Sequence, residues 1–396
     1  MGPNGRRVAV TGVGVVSPCG IGADAFWDGL CGPAPEGERR VADFDPTPFF
    51  DNPKEARRTD RFSQFAFAAA IEALAQAGDL RVDPDRIGVI LGTGVGGLET
   101  LEREVLVYHE KGGRRVSPFL VPMMMGNAAA AGLSMRYGFR GPCETTVTAC
   151  AASTHAIGNA ARQIAIGRCD AMLTGGSEAS MTPVGVQGFV NMTALSKSGV
   201  SRPFDARRDG FVIAEGGAVL VLEEWEAALA RGATILAEVL GAASTADAHH
   251  ITAPAPHGSG AVACMELALA DAGITTDDVR HINAHGTSTP LNDAAEAEAI
   301  AKVFGSPGPP VTSTKGVTGH ALGAAGALEA VAVVLSIQRR EVPPTAGLEE
   351  PDPEIATIDL VTGEPRPWEP GPALSNSFGF GGHNGCLVIG PGADRG

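Results

Sequence analysis

Basic charge is scarce in this chain of 396 residues. The 30 Lys and Arg face 45 Asp and Glu, for a formal net charge of −15. So acidic a surface repels polyanions, which argues against nucleic acid or an anionic membrane as partner. An acidic partner would need a local basic patch. Cysteine is sparse and unpatterned. The seven, at 19, 31, 143, 150, 169, 264 and 386, form no CxxC pair and no disulfide-like spacing. That excludes a disulfide framework and reads as reduced thiols in the cytosol. No apolar run approaches the ~20 residues a membrane helix needs. The N-terminal MGPNGRRVAVTGVGVVSP breaks its apolar stretch with Gly too early for a signal peptide and runs into a strand pattern. Aromatics make up only 5% of residues while Gly reaches 53, so turns and close backbone approaches should be frequent. What remains is an ordinary globular balance, 44% hydrophobic and 19% charged, long enough for a large core or two fused halves.

The pattern along the chain alternates between strand and helix. Arg7–Val16 is a β-branched run with the composition of a buried strand. Phe62–Ala77 is Ala-rich with helical spacing, and Arg86–Leu91 is again a strand. Cys150–Ile166 reads as a helix and Asp170–Thr174 as a strand. Such alternation predicts α/β layering.

The chain also repeats itself. IEALAQAGDLRVDPDRIGVILGT at 71–93 matches MELALADAGITTDDVRHINAHGT at 265–287. Each is an Ala/Leu helix closing on Ala-Gly, an acidic turn, an Arg and a strand ending in Gly-Thr. HAIGNAA at 155–161 echoes HALGAAG at 320–326. The landmarks fall in the same order, which predicts two related α/β halves, 1–235 and 236–396. A pseudo-twofold arrangement would bring Cys150 of the first half to Lys315 and His320 of the second.

Cys150 lies where a β-rich stretch ends and an Ala-rich helix starts, in Thr-Val-Thr-Ala-Cys-Ala-Ala-Ser. Free N–H groups and the positive end of the dipole at such a position favour the thiolate, the reactive form. His285, in Ile-Asn-Ala-His-Gly-Thr-Ser-Thr-Pro, is placed at a strand end, where α/β folds keep their sites and a histidine can donate a hydrogen bond or move a proton. Lys315 and His320 precede a small-residue helix that carries Glu329. A lysine and an acid beside a histidine can set its tautomer and charge. Ser375–Asn384 is a Gly-rich loop with no following Lys-Ser/Thr. It reads better as a backbone N–H donor to an oxyanion than as a phosphate cradle.

Taken together, VTACAAS around Cys150, SRPFDARRDGFV at 201–212, NAHGTSTPLND at 283–293, STKGVTGHALGAAGALE at 313–329 and SNSFGFGGHNG at 375–385 resemble the beta-ketoacyl-acyl-carrier-protein synthases. These are type II elongating condensing enzymes of the thiolase superfamily. The resemblance covers nearly the whole chain. It implies a thiolase-like fold of two duplicated α/β halves layered α-β-α-β-α, in a cytoplasmic homodimer. It implies decarboxylative condensation of an acyl thioester with malonyl carried on acyl carrier protein. No cofactor or metal is implied beyond the carrier's 4'-phosphopantetheine.

By the same resemblance Cys150 accepts the acyl group, and His285 and His320 bind the malonyl thioester and assist loss of CO2. Lys315 tunes His320, with Glu329 a nearby structural acid. The N–H groups of Cys150 and Phe380 form the oxyanion hole, Phe380 also gates the pocket, and Thr287 and Thr289 meet the phosphopantetheine. The acyl pocket is expected from Val95, Leu120, Phe189 and Phe380. The basic run Lys54, Arg57, Arg58 and Arg61 is expected to dock the acidic carrier. A further basic contact is expected near 193, where this chain has Thr193.

Three other readings share part of the pattern. A coenzyme A thiolase would use a second active-site cysteine, for which Cys386, near His383, is available. A chain-length-factor subunit would lack the nucleophile, against which Cys150 and both histidines stand. A discrete ketosynthase of a polyketide or other specialised pathway would share every catalytic residue.

Overall fold

The structure, a computed structural model, describes residues 5–392. The β-branched N-terminal run forms strand β1, Val8–Ser17, with every residue buried. Its glycines are contact points rather than breaks. A Cβ at Gly12 would lie 2.1 Å from the Ala73 carbonyl oxygen and one at Gly14 2.0 Å from that of Ala69. The strand therefore lies directly against helix α1, Arg61–Ala77, whose Ala-rich face is buried.

The first half continues with β2, Ile87–Gly92, helices α2, Leu98–Lys111, α3, Leu120–Met124, and α4, Ala128–Tyr137. Strand β3, Cys143–Thr146, helix α5, Ala152–Ala165, β4, Ala171–Glu178, α6, Pro183–Asn191, and β5, Gly216–Glu224, complete it. The second half runs β6, Ala237–Ala246, α7, Ser259–Ala272, β7, His281–Asn283, and α8, Pro290–Phe304. Strand β8, Pro310–Thr312, helix α9, Ala325–Arg339, and the hairpin β9, Ala373–Gly379, with β10, His383–Gly390, close the chain.

Across the sheet the order is β3-β2-β4-β5-β1, then β6-β10-β9-β7-β8. Each half thus follows the same path read outward from the centre, the duplicated arrangement that the repeats imply. The halves join where β1 meets β6 antiparallel, at Ala9–Glu238 and Val10–Ala237. Helix α1 covers β1, β5 and β4 on one outside, and α7 covers β6 and β10 on the other. Helices α5 and α9 pack on each other between the two sets of strands. The layers are therefore α-β-α-β-α. The stretch Leu322–Arg339 is long and apolar enough to span a membrane, but 89% of it is buried as this central layer.

The repeat 71–93 with 265–287 spans the end of α1 through β2 and the end of α7 through β7. The shorter echo is out of register. Ala149–Ala151 and Leu322–Ala324 are matching 3-10 turns that lead into α5 and α9. Ala149 (φ 49) and Leu322 (φ 44) share the same left-handed backbone. Cys150 therefore matches Gly323, and His155 matches Leu328 rather than His320. Small residues recur at both places because both helices pack closely, and that produced the misleading likeness.

Candidate active site

Cys150 sits in the tight turn between β3 and α5, its side chain buried. Glycine at 379 lets the β9 end press on this turn. A Cβ there would lie 3.0 Å from the Cys150 nitrogen and 3.3 Å from that of Ala151. The Phe380 N–H lies near enough to the Cys150 sulfur to favour its thiolate. The expected low thiol pKa is corrected by this setting. Burial pushes the thiol up to about 11, against the lowering pull of the Phe380 N–H and the Lys315 charge. Helix-start electrostatics lose here to desolvation, so the resting thiol is neutral.

His320 Nε2 stands 3.1 Å from that sulfur. Its backbone is pinned on both sides, its N–H to the Val212 carbonyl at 2.7 Å and its own carbonyl accepting from Ala214 at 3.0 Å. The Phe211 ring meets it edge-on at 5.3 Å. The His285 ring lies 5.3 Å away, nearly perpendicular. His285 leaves the end of β7, where its N–H and that of Gly286 donate to the two carboxylate oxygens of Glu296 at 2.8 and 2.7 Å. Both imidazoles are held well below the usual histidine range, first by burial and then by the Lys315 charge. Both are neutral at pH 7.

Lys315 acts on His320 through its charge, as expected, but its contact is with His285. Its ammonium is 3.3 Å from His285 Nδ1 and 2.7 Å from the His285 carbonyl, so it is His285 that it touches, not His320. Glu329 forms the buried ion pair with the same ammonium. An ammonium only donates, so His285 Nδ1 accepts and Nε2 carries the hydrogen. His320 Nδ1 finds no hydrogen-bond partner among the described residues, so nothing at that nitrogen fixes its tautomer.

A cavity of about 430 Å³ opens onto Cys150, His285 and His320. Thr287 and Thr289 line it, their hydroxyls 2.9 Å apart, as do Phe189, Phe380 and Thr193. Val95 and Leu120 do not line it. Val95 is instead 51% exposed. Leu120 opens α3, which packs between α2 and α4. His383 and Cys386 are also outside the cavity lining. The Cys386 thiol is buried in β10 against the Asn376 side-chain oxygen at 3.2 Å. The Cys150 sulfur and one nitrogen of each histidine lie within 4.8 Å of one another, a donor set that zinc accepts. The Lys315 ammonium directly behind His285 opposes a second cation, and a metal there would displace the thiol proton.

In the basic run, Lys54, Arg57 and Arg58 are exposed, with Arg58 lying 4.3 Å over the Phe119 ring. Arg61 is corrected. It turns inward to the buried Glu215 at 2.7 Å and to the Val41 carbonyl at 2.8 Å. A buried carboxylate needs that charge, which leaves Arg61 unavailable for docking. Sequence reasoning missed Phe211, Phe378 and Glu296. Phe211 and Phe378 flank the two histidines. Both lie within motifs already singled out, at 201–212 and 375–385, and that was the only available signal. Glu296 follows the His285 motif by one helical turn of α8.

Residues 32–228 match the family described as Beta-ketoacyl synthase, N-terminal domain, and residues 236–349 match Beta-ketoacyl synthase, C-terminal domain. The chain is 46% identical to the 3-oxoacyl-[acyl-carrier-protein] synthase 2 of Synechocystis sp., over 97% of this chain and 98% of that protein. Among solved structures it resembles the ishigamide ketosynthase/chain length factor, with a TM-score of 0.91 and 32% identity over 98% of this chain and 100% of that one. It also resembles AntDE:AntF, a type II PKS acyl-carrier protein in complex with its ketosynthase bound to the hexaketide. There the TM-score is 0.86 and identity 32%, over 98% of this chain and 100% of that one.

Proposed function

The chain belongs to the beta-ketoacyl synthase family, and from that premise we propose that it is a 3-oxoacyl-acyl-carrier-protein synthase of fatty-acid elongation. The reading rests chiefly on one observation. The Cys150 sulfur stands 3.1 Å from His320 Nε2, with the Phe380 N–H near it, in the lining of a cavity that His285 also lines.

In the first step the acyl thioester carbonyl enters between the Cys150 and Phe380 N–H groups. The S–H proton passes to His320 Nε2 as sulfur attacks the carbonyl carbon. The bond to the carrier's sulfur breaks, and that sulfur takes the proton from His320. The acyl group stays on Cys150, and His320 returns to neutral. With no partner holding Nδ1 among the described residues, proton exchange with solvent moves the His320 hydrogen from Nδ1 to Nε2 before the second step. There the malonyl thioester oxygen accepts from Nε2–H of His285 and of His320. The carbon–carboxylate bond breaks, CO2 leaves, and the electron pair enters the enolate, whose charge both imidazoles stabilise. The enolate carbon attacks the acyl carbonyl and the carbon–sulfur bond to Cys150 breaks. The Cys150 thiolate so released takes up one proton from solvent, the proton the net reaction consumes, and the kinetics are ping-pong.

Acyl carrier protein is the partner in this reading, met by Lys54, Arg57 and Arg58, with Thr287 and Thr289 along its phosphopantetheine. The two repeats divide near residue 236, the first supplying the nucleophile and the second the bases. Homodimerisation is supported by the open edge of β3, which among the described residues pairs only with β2. Val105, Leu106, Val121 and Met135 are exposed on the neighbouring helices α2, α3 and α4. Val95 and Leu120 lie toward this same face, so a second subunit is what would enclose them. The free thiols fit the cytoplasm. A polyketide ketosynthase shares the site, but the 46% identity to a 3-oxoacyl synthase exceeds the 32% to the ketosynthases of specialised pathways.

The test is mass spectrometry of the protein with acyl-carrier donors, then malonyl carrier. Cys150 should gain one acyl group and release it as 3-oxoacyl carrier with loss of CO2. Cys150→Ala should not load yet should still decarboxylate malonyl carrier. Elongation by the Ala variant would refute the assignment.

A further inference from the structure

His155 lies in the first turn of α5 and takes no part in the reaction as described. Its ring nonetheless bridges two elements of the site. Thr148 Oγ1 is 2.8 Å from His155 Nδ1, and the Asn384 carbonyl oxygen is 3.0 Å from His155 Nε2. A carbonyl only accepts, so Nε2 donates to it. In the neutral ring Nδ1 then accepts from the Thr148 hydroxyl. Burial, ahead of the neighbouring His383 and Arg162 charges, favours that neutral ring, with the Asn384 bond opposing it.

Each end of this bridge holds one half of the oxyanion site. Thr148 leads into Ala149, whose φ of 49 is left-handed and strained for a non-glycine residue, and then into Cys150. Asn384 pairs with Phe378 across the β9–β10 hairpin, and the tip of that hairpin is Phe380-Gly381-Gly382. The Asn384 side chain is itself tied to Asp247 at 2.7 Å. One imidazole therefore spans from the turn bearing the Cys150 N–H to the hairpin bearing the Phe380 N–H. The fold does not need a histidine here, because the matching position of the second half is the buried Leu328.

We propose that His155 is a positioning residue that sets the separation of the Cys150 and Phe380 N–H groups. The proposal rests on the synthase reading above. Its test compares two reactions of Cys150 in the full-length protein. Acyl transfer from an acyl-carrier donor needs both N–H groups of the oxyanion site, whereas alkylation by iodoacetamide needs the thiolate, on which the Phe380 N–H is one influence beside the Lys315 charge and the Cys150 N–H. His155→Leu should slow acyl transfer roughly 10- to 100-fold, somewhat less than the loss of an oxyanion donor itself. Alkylation should change by less than about 3-fold, and KM for the carrier should hold. His155→Gln should recover most of the rate, since its carbonyl accepts from Thr148 and its amide donates to Asn384.

Thr148→Val should slow acyl transfer without repacking the helix, and combining it with His155→Leu should add no further loss. Unchanged acyl transfer in both single variants, or equal loss of acyl transfer and alkylation, overturns the proposal. Failure of the unaltered protein to load Cys150 would instead overturn the synthase reading beneath it.

Discussion

The ammonium of Lys315 holds His285 at two points, Nδ1 at 3.3 Å and the carbonyl oxygen at 2.7 Å. The two histidines therefore differ in kind. His285 has its tautomer imposed and presents a donor, while His320 is free to accept and then donate.

Loss of Lys315 should thus strike condensation more than loading. Lys315→Met should lower condensation about 100-fold, in the range of a lost oxyanion donor, while Cys150 acylation by burst analysis falls less than about 3-fold. The variant also strands Glu329, and breaking a buried pair costs about 3–5 kcal/mol. Burial already lifts the Glu329 carboxyl to about 7, so it can protonate and soften that cost. Lys315→Met with Glu329→Gln should therefore regain thermal stability without regaining condensation. Equal losses of loading and condensation would show that the lysine does not act through His285.

The pH dependence of alkylation reports the buried thiol directly. With the Cys150 pKa raised to about 11, protonation dominates below that value and thiolate grows as pH rises. In the substrate-free protein, iodoacetamide modification of the Cys150 peptide should climb about tenfold per pH unit from 8 to 10, following simple titration. An ordinary thiol would level off near pH 8.5. Levelling there would show a thiolate stabilised at rest.

The basic run should separate into two behaviours. Charge reversal at Lys54, Arg57 or Arg58 should raise KM for acyl carrier roughly 3- to 10-fold at low salt, less at high salt, and leave acyl-pantetheine kinetics alone. Arg61→Glu should instead lower the melting temperature, since it leaves Glu215 buried without its partner. A carrier-specific defect with unchanged melting in Arg61→Glu would contradict the inward ion pair.

Dimerisation through the β3 edge predicts that Leu106→Arg weakens self-association. Light scattering across micromolar concentrations should show a dimer for the natural chain and a shift toward monomer for the variant. An unchanged mass would place the interface elsewhere.

Much of this was legible in the sequence. Strand ends, Gly-rich turns and the repeat at 71–93 and 265–287 depend on local composition, and they fall on β2 and β7 where the pattern put them. What was not legible depends on direction in space. A run of four basic residues cannot show that Arg61 turns to Glu215, distant in sequence. Nor can apolar character show that Val95 faces outward while Phe211 meets His320. The 155–161 echo misled because small residues mark close helix packing wherever it occurs. The thiol was misjudged because helix position is local, whereas burial is set by the whole fold.

Among the described residues, the named strands of the two halves pair edge to edge at Ala9–Glu238 and Val10–Ala237, and isolated bridges at Ile213–His320 and Asp205–Pro351 join the halves again. Cys150 comes from one half, and His285, Lys315 and His320 come from the other. The connection over 231–235 runs along the surface, with Gly232 and Thr234 exposed. A single cut there would yield two fragments, neither holding a whole reaction centre. Turnover would then count reunited pairs, which makes the enzyme a reporter of association between its own halves.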